Sequence, residues 1–186
     1  MAKARKIPGL NPNAPVKDSA ARILLSRFDE MISHEEGTVE GSDIEALHDM
    51  RVASRRVQAA LKIFRSLFPK KKYKAEYAEI RGLIRSLGEV RDYDVFIDKL
   101  ESMKKRSNSN TSSMKIDNRA IDLLIVRKRA EREQKRKLLI QNLTTLNKNG
   151  YKEHFLNFVN SNLRENIAGT QLQQVNTSAN EGNAPA

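Results

Sequence analysis

The sequence predicts an all-α protein: an antiparallel bundle of four long helices closed by a short C-terminal helix. Three observations carry this reading. Apolar residues recur at three- and four-residue spacing over long segments, and no strand-like alternation stands out. Glycine and proline are sparse, at 8 and 5 in 186 residues, which suits helices better than turn-rich sandwiches or barrels. The loops between the periodic segments are short, so consecutive helices fold back on one another. A chain of this length supports one domain with a sizeable core.

Residues 1–17, with Pro8, Gly9, Pro12 and Pro15, read as a disordered basic arm. The first helix is predicted from an N-cap at Asp18 to Ser33, with Ile23, Leu24, Phe28 and Met31 at helical spacing. Glu36, Gly37 and Thr38 read as a loop. Ser42 and Glu45 fit a capping box opening the second helix, which stops at Pro69. A third helix spans Lys72 to Met103, "KKRSNSNTSS" forms a polar loop, and a fourth helix spans Ser113 to Asn147. Gly150 breaks that helix and "YKEHFLNFVNSNL" closes the bundle, giving a folded unit over 18–163. Residues 164–186 are rich in Asn, Gln, Ser and Thr, and bury too little apolar surface to offset their ordering entropy.

The net charge of +11 is the strongest global signal and points to a polyanionic partner. No cysteine is present, which excludes disulfides, thiol catalysis and thiolate metal sites. No apolar run reaches the ~18 residues of a membrane span, and the N-terminus lacks the apolar stretch of a secretory signal. The expected location is therefore the cytoplasm.

Placement of the charges matters more than their sum. On the second helix, plotted at about 100° per residue, Met50, Ala53, Val57, Ala60, Leu61, Phe64 and Phe68 share one side. His48, Arg51, Arg55 and Lys62 share the other, at i, i+3, i+7 and i+14, with Arg56 and Arg65 at the margins. Like charges at such spacing repel, so this is either a solvated face or a device for holding an anion. On the fourth helix the apolar stripe of Ile121, Leu124 and Ile125 resumes at Leu138, Leu139 and Leu143. Between those blocks it is occupied by Lys128, Arg132 and Lys135. Unpaired buried charge is costly, so that stretch either projects beyond the bundle or lines a wet basic groove. On the third helix Arg81, Arg85 and Gly88 share a face, while Arg91 continues the stripe of Ile84 and Leu87 and is expected to pair with Asp94 or Asp98 in a structural ion pair.

Two stretches, "LHDMRVASRRVQAALKIF" and "LGEVRDYDVFIDKL", carry a resemblance. In this order and spacing they look like the N-terminal half of the CHAD family, the histidine-containing α-helical domain that binds inorganic polyphosphate. The resemblance implies a helical bundle with a basic surface, one half of a two-bundle architecture. It implies contacts to polyphosphate from His48, Arg51, Arg55, Arg56, Lys62, Arg81 and Arg85, with Arg132 and Lys135 as looser matches. It also implies a homodimer, or pairing with another half-domain, that supplies the opposite wall. Polyphosphate granules are the associated site in the cytoplasm. No cofactor and no metal are expected.

Polyphosphate offers closely spaced charges and no bases, so a receptor needs an array of Arg and Lys. Arg suits phosphate oxygens through bidentate, permanently charged donors. The chain is only 5% aromatic, with no Trp, which is poor for stacking single-stranded bases. A helical protein binding nucleic-acid backbone is the alternative. A third reading is a fragment of an HD-type metal phosphohydrolase, from His48 and Asp49 with His34 and Asp43 upstream. The surrounding arginines repel a divalent cation, and no Gly-rich phosphate loop or nucleophile triad is visible. The sequence therefore reads as a binding module and not an enzyme, and His154 reads as structural.

Overall fold

A computed structural model describes residues 5–108 and 118–164, and all regular structure in them is helical. The order is α1 (Val16–Ile32), α2 (Glu35–Glu40), α3 (Ile44–Ile63), a 3₁₀ turn (Arg65–Leu67), α4 (Lys70–Asn108), α5 (Asn118–Lys148) and α6 (Tyr151–Leu163). The four long helices and the short closing one are as expected. The boundaries differ for identifiable reasons.

Pro15, not Asp18, precedes α1: its carbonyl accepts from the amides of Asp18 (3.1 Å) and Ser19 (3.2 Å). Asp18 lies inside the first turn, where a carboxylate complements the helix dipole. The segment before it, expected as a disordered arm, is described from Arg5 and forms turns. Arg5 is tied to α1, its guanidinium donating to Ser33 at 2.8 Å and its amide to Glu30 at 3.3 Å. The stretch read as a loop at Glu36–Thr38 is a short helix, with the Thr38 hydroxyl donating to the His34 carbonyl. Six residues are too few to display an apolar period.

The N-cap of α3 is Asp43 and not the Ser42–Glu45 box: its extended backbone places Oδ1 2.8 Å from the Glu45 amide. That helix ends at Ile63. The 3₁₀ turn and the extended Phe68 then lead to Pro69, whose ring disfavours helical backbone in the residue before it. Pro69 opens α4, its carbonyl accepting from Tyr73 at 3.0 Å. The 39 residues of α4 reach about 58 Å. They include Lys104–Asn108 of the expected polar loop; the rest of that loop and the expected start of the fourth helix lie outside the described residues. At Gly150 a left-handed φ of +63° separates α5 from α6.

The main core draws Leu24, Phe28 and Met31 from α1, Met50, Val57 and Leu61 from α3, and Ile80, Leu87 and Val90 from α4. Leu139 and Leu143 of α5 join them, and α6 adds Phe155, Phe158, Val159 and Leu163. Phe155 stacks on Phe28 at 4.0 Å and Phe158 on Phe68 at 4.5 Å, pinning α6 across α1 and the start of α4. A second, smaller cluster of Ile97, Leu100, Ile121 and Ile125 joins the far halves of α4 and α5. These two helices run antiparallel, as their cross-links show. Lys104 meets Asp122, Arg129 meets Glu101, Arg132 meets Asp94, Lys135 meets Glu89, and Asn142 meets Ser86.

These cross-links settle the cationic interruption of the fourth helix differently from either expectation. Lys128, Arg132 and Lys135 face α4 between the two apolar clusters, and each is bound to an acid. Lys128 reaches Glu131 at 2.7 Å, Arg132 reaches Asp94 at 2.5 Å, and Lys135 reaches Glu89 at 2.9 Å. Asp94, 4% exposed, therefore takes its cation from α5 and not from Arg91, because the facing helix brings Arg132 onto it. The expected Arg91–Asp94 pair is replaced by an interhelical one.

Candidate anion-binding face

Arg51 lies over Gly88, with Nε 3.5 Å from the position a β-carbon would take there. That is ordinary van der Waals distance, so Arg51 packs beside α4 at Gly88. α3 and α4 pack on each other across a short connection and so run antiparallel, and this contact marks their register. One turn along α3, Arg55 comes level with the Arg85 turn, and Lys62 comes level with Tyr77 and Ala78. Two stripes thus flank a shared surface: His48, Arg51, Arg55 and Lys62 from α3, and Arg81, Arg85 and Gly88 from α4. Arg55, Lys62, Arg81 and Arg85 are exposed, whereas His48 and Arg51 are half-buried. Among the described residues neither His48 nor any of these five cations lies at ion-pair distance from a carboxylate. His48 Nδ1 and Arg51 Nε are shielded from solvent and have no hydrogen-bond partner in the protein, so two donors or acceptors at the buried end of the face are unsatisfied.

The other three expected contact residues stand elsewhere. Arg56 points to the opposite flank of α3, where it binds Glu30 of α1 at 2.7 Å, and Arg27 binds the same carboxylate at 2.8 Å. Arg132 and Lys135 belong to the α4–α5 cross-links described above. The face therefore gathers six of the nine expected residues, and the remaining three bind carboxylates within the bundle.

Two residues on the face escaped sequence reasoning. Lys70 and Lys74 precede Arg81 and Arg85 at four- and seven-residue spacing, on the same side of α4, and both are exposed. Starting the helix at Lys72 concealed this, since Lys70 belongs to the stripe only once Pro69 opens the helix. Arg91, one turn beyond Gly88, is half-buried and has no carboxylate partner among the described residues, so its place in a structural pair is vacated.

Glu45, His48 and Asp49 have potential ligand atoms within 4.8 Å of one another, the one such group among the described residues. All three come from one side of α3 next to Arg51. His34 and Asp43, the other members of the HD-type set, are not in this group, and Asp43 Oδ1 is engaged as the α3 cap.

Geometry and charge together define a class: an all-helical bundle whose α3/α4 side carries cations that no carboxylate among the described residues pairs. The chain belongs to the CHAD family, whose domain model matches residues 22–179. That family is associated in general with polyphosphate binding. A search of the curated proteins and one of the solved structures returned no match.

Proposed function

We propose that this chain binds inorganic polyphosphate along the α3/α4 face and acts as a binding module without catalysis of its own. One observation carries the reading: the cations are divided. On α5, Arg127, Lys128, Arg129, Arg132, Lys135 and Arg136 each have an acid within 4 Å, while the exposed Lys137 and Lys148 do not. On the α3/α4 face none of the five, Arg51, Arg55, Lys62, Arg81 and Arg85, does. Cations held side by side without counter-charge repel one another, and a polyanion laid along them removes that cost.

The chemistry of the face suits phosphate and not bases. Its arginines offer paired N–H donors to phosphoryl oxygens. His48 supplies a ring nitrogen beside them. Most of the aromatic rings lie in the core, including Phe28, Phe68, Tyr151, Phe155 and Phe158; Tyr77 and Phe96 stand singly beside the stripes, and two isolated rings do not form the successive stacking surface of single-strand binders. No helix among the described residues is long and apolar enough to cross a membrane. Together with the charge, this supports a cytoplasmic protein that meets polyphosphate in granules or free.

The test is competition of long-chain polyphosphate against duplex DNA at fixed salt, for the wild type and Arg51→Glu/Arg55→Glu. Polyphosphate is expected to win, affinity to fall steeply with salt, and the variant to lose binding with its helicity intact. Preference for DNA would return the reading to a nucleic-acid backbone binder, and cooperative unfolding of the variant would make the face structural.

A further inference from the structure

We propose that the groove between α4, α5 and the start of α3 binds a linear aliphatic polyamine, whose ammonium groups are received by Asp94, Asp98 and Glu133. This site shares no residue with the α3/α4 face and is independent of polyphosphate binding there.

The groove has a volume of about 460 Å³, and its charged lining is Asp94, Asp98, Glu101 and Glu133 against Arg129 and Arg132. Four carboxylates to two guanidiniums is an acidic balance, in a chain whose net charge is +11. Both arginines are already engaged, Arg132 by Asp94 Oδ1 and Arg129 by Glu101 at 2.7 Å. Asp98 is exposed and has no hydrogen-bond or ion-pair partner among the described residues. Glu133 has Arg136 at 3.8 Å, and that guanidinium also donates to the carbonyls of Val39 at 2.6 Å and Glu40 at 2.9 Å. The other cations on these stretches of α4 and α5, Arg91, Lys99, Lys105 and Lys137, do not line the groove and lie at ion-pair distance from none of its acids. A second observation points to a ligand. Asp94 is 4% exposed, and its Oδ2 is shielded from solvent without a hydrogen-bond partner. A buried carboxylate oxygen with no donor forfeits hydrogen-bond energy, and a donor entering the groove that Asp94 lines restores it.

The spacing of the acids selects the cation. No three of these carboxylates bring oxygens within 4.8 Å of one another; among the described residues only Glu45, His48 and Asp49 form such a group. One metal ion therefore cannot gather them. From Asp94 to Glu101 the α4 wall extends about 10 Å, which suits positive charges carried several bonds apart on one flexible ligand. Ile44 and Ile97, 45% and 9% exposed, line the same groove and offer apolar surface to methylene segments. An ammonium brings a full charge and only donors to the carboxylates. The positive charge elsewhere on the chain is largely screened beyond about 10 Å at ordinary salt, so the local acidic balance governs.

The experiment is calorimetric titration of the full chain with spermidine, a linear triamine, and separately with butylamine and with magnesium chloride. Wild type is compared with Asp98→Asn/Glu133→Gln and with Asp92→Asn/Glu153→Gln, which makes the same change of charge at two exposed acids outside the groove. Circular dichroism checks that both variants keep the fold. Wild type is expected to bind one equivalent of spermidine and to bind butylamine far more weakly. The groove variant should bind spermidine on the order of tenfold more weakly, with the control variant unchanged. Amide resonances of the wild type should shift on adding spermidine mainly at Ile97–Glu101 and Arg129–Glu133, a readout that needs neither variant. Shifts spread evenly over the surface, or equal loss of binding in both variants, would overturn the site, because the amine would then respond to charge in general. Tighter binding of magnesium at the same residues would overturn the assignment of an amine. Absence of spermidine binding by the wild type would overturn the inference and leave the polyphosphate reading untouched.

Discussion

Glu30 and Glu76 are both buried carboxylates, at 2% and 1% exposure, and they respond to pH in opposite directions. Burial disfavours the charge of Glu30, but Arg27, the Arg5 amide and Arg56 outweigh it and hold the carboxyl below its ordinary value near 4.5. A depressed carboxyl contributes stability that is present above the unfolded value and lost as pH falls through the folded one. Glu76 is raised, because burial outweighs the attraction of His154 at 2.8 Å and Glu79 adds repulsion. Its contribution is present below 4.5 and lost as pH rises through the raised value. Urea denaturation from about pH 3 to 7 reads this directly. The stability advantage of wild type over Glu30→Gln shrinks on acidification, whereas wild type gains on Glu76→Gln over the same change. Parallel curves for all three proteins would refute both assignments. In the sequence Glu30 was one acid among many. Its partners come from the N-terminal segment, its own helix and α3, and only packing brings them together.

At the scale of the element, α4 and α5 show how polar contacts can join helices where the apolar stripe fails. Asp94 and Arg132 sit between the main core and the small cluster of Ile97, Leu100, Ile121 and Ile125. Asp94→Ala strands the Arg132 guanidinium, 21% exposed, between these clusters and should cost about 3 kcal/mol. The double variant Asp94→Ala/Arg132→Met should recover most of that loss, since an apolar pair has no charge to desolvate. Chemical denaturation of the two single variants and the double closes the cycle, and simple additivity would show that the pair is not coupled. The long helices were legible because their apolar period persists over many turns. The interruption at Lys128–Lys135 was legible as an anomaly, but its resolution was not. Which acids answer those cations depends on the α4–α5 register, and that register is set by contacts distant in sequence.

For the whole molecule, the surplus of +11 is spread unevenly. Acids on α4 and α5 meet the cations of α5, which leaves the α3/α4 face uncompensated. A single face of this kind grips a polyanion from one side. On the proposed binding, a second copy of the chain can close on the same phosphate chain from the other side. Light scattering in the presence of long-chain polyphosphate should report a mass near twice that of the chain. A monomer with and without polyphosphate would count against pairing. Of the candidate site, His48, Arg51, Arg55 and Lys62 could be read from one helix because their common face follows from 3.6-residue geometry. Arg56 lies at the margin of that face, where a small rotation of the helix decides between solvent and Glu30, and the structure pairs it with Glu30.

By itself the sequence determined the helical class, the number of long helices, the family motifs and the cationic stripe of α3, since each depends on spacing within one segment. Only the tertiary structure decided which cations are free. That depends on where acids from other segments arrive: Glu30 at Arg56, Asp94 at Arg132 and Glu89 at Lys135, with none at Arg51, Arg55, Arg81 or Arg85. Composition counts charges, but screening and pairing act over a few ångströms, and folding alone sets those distances.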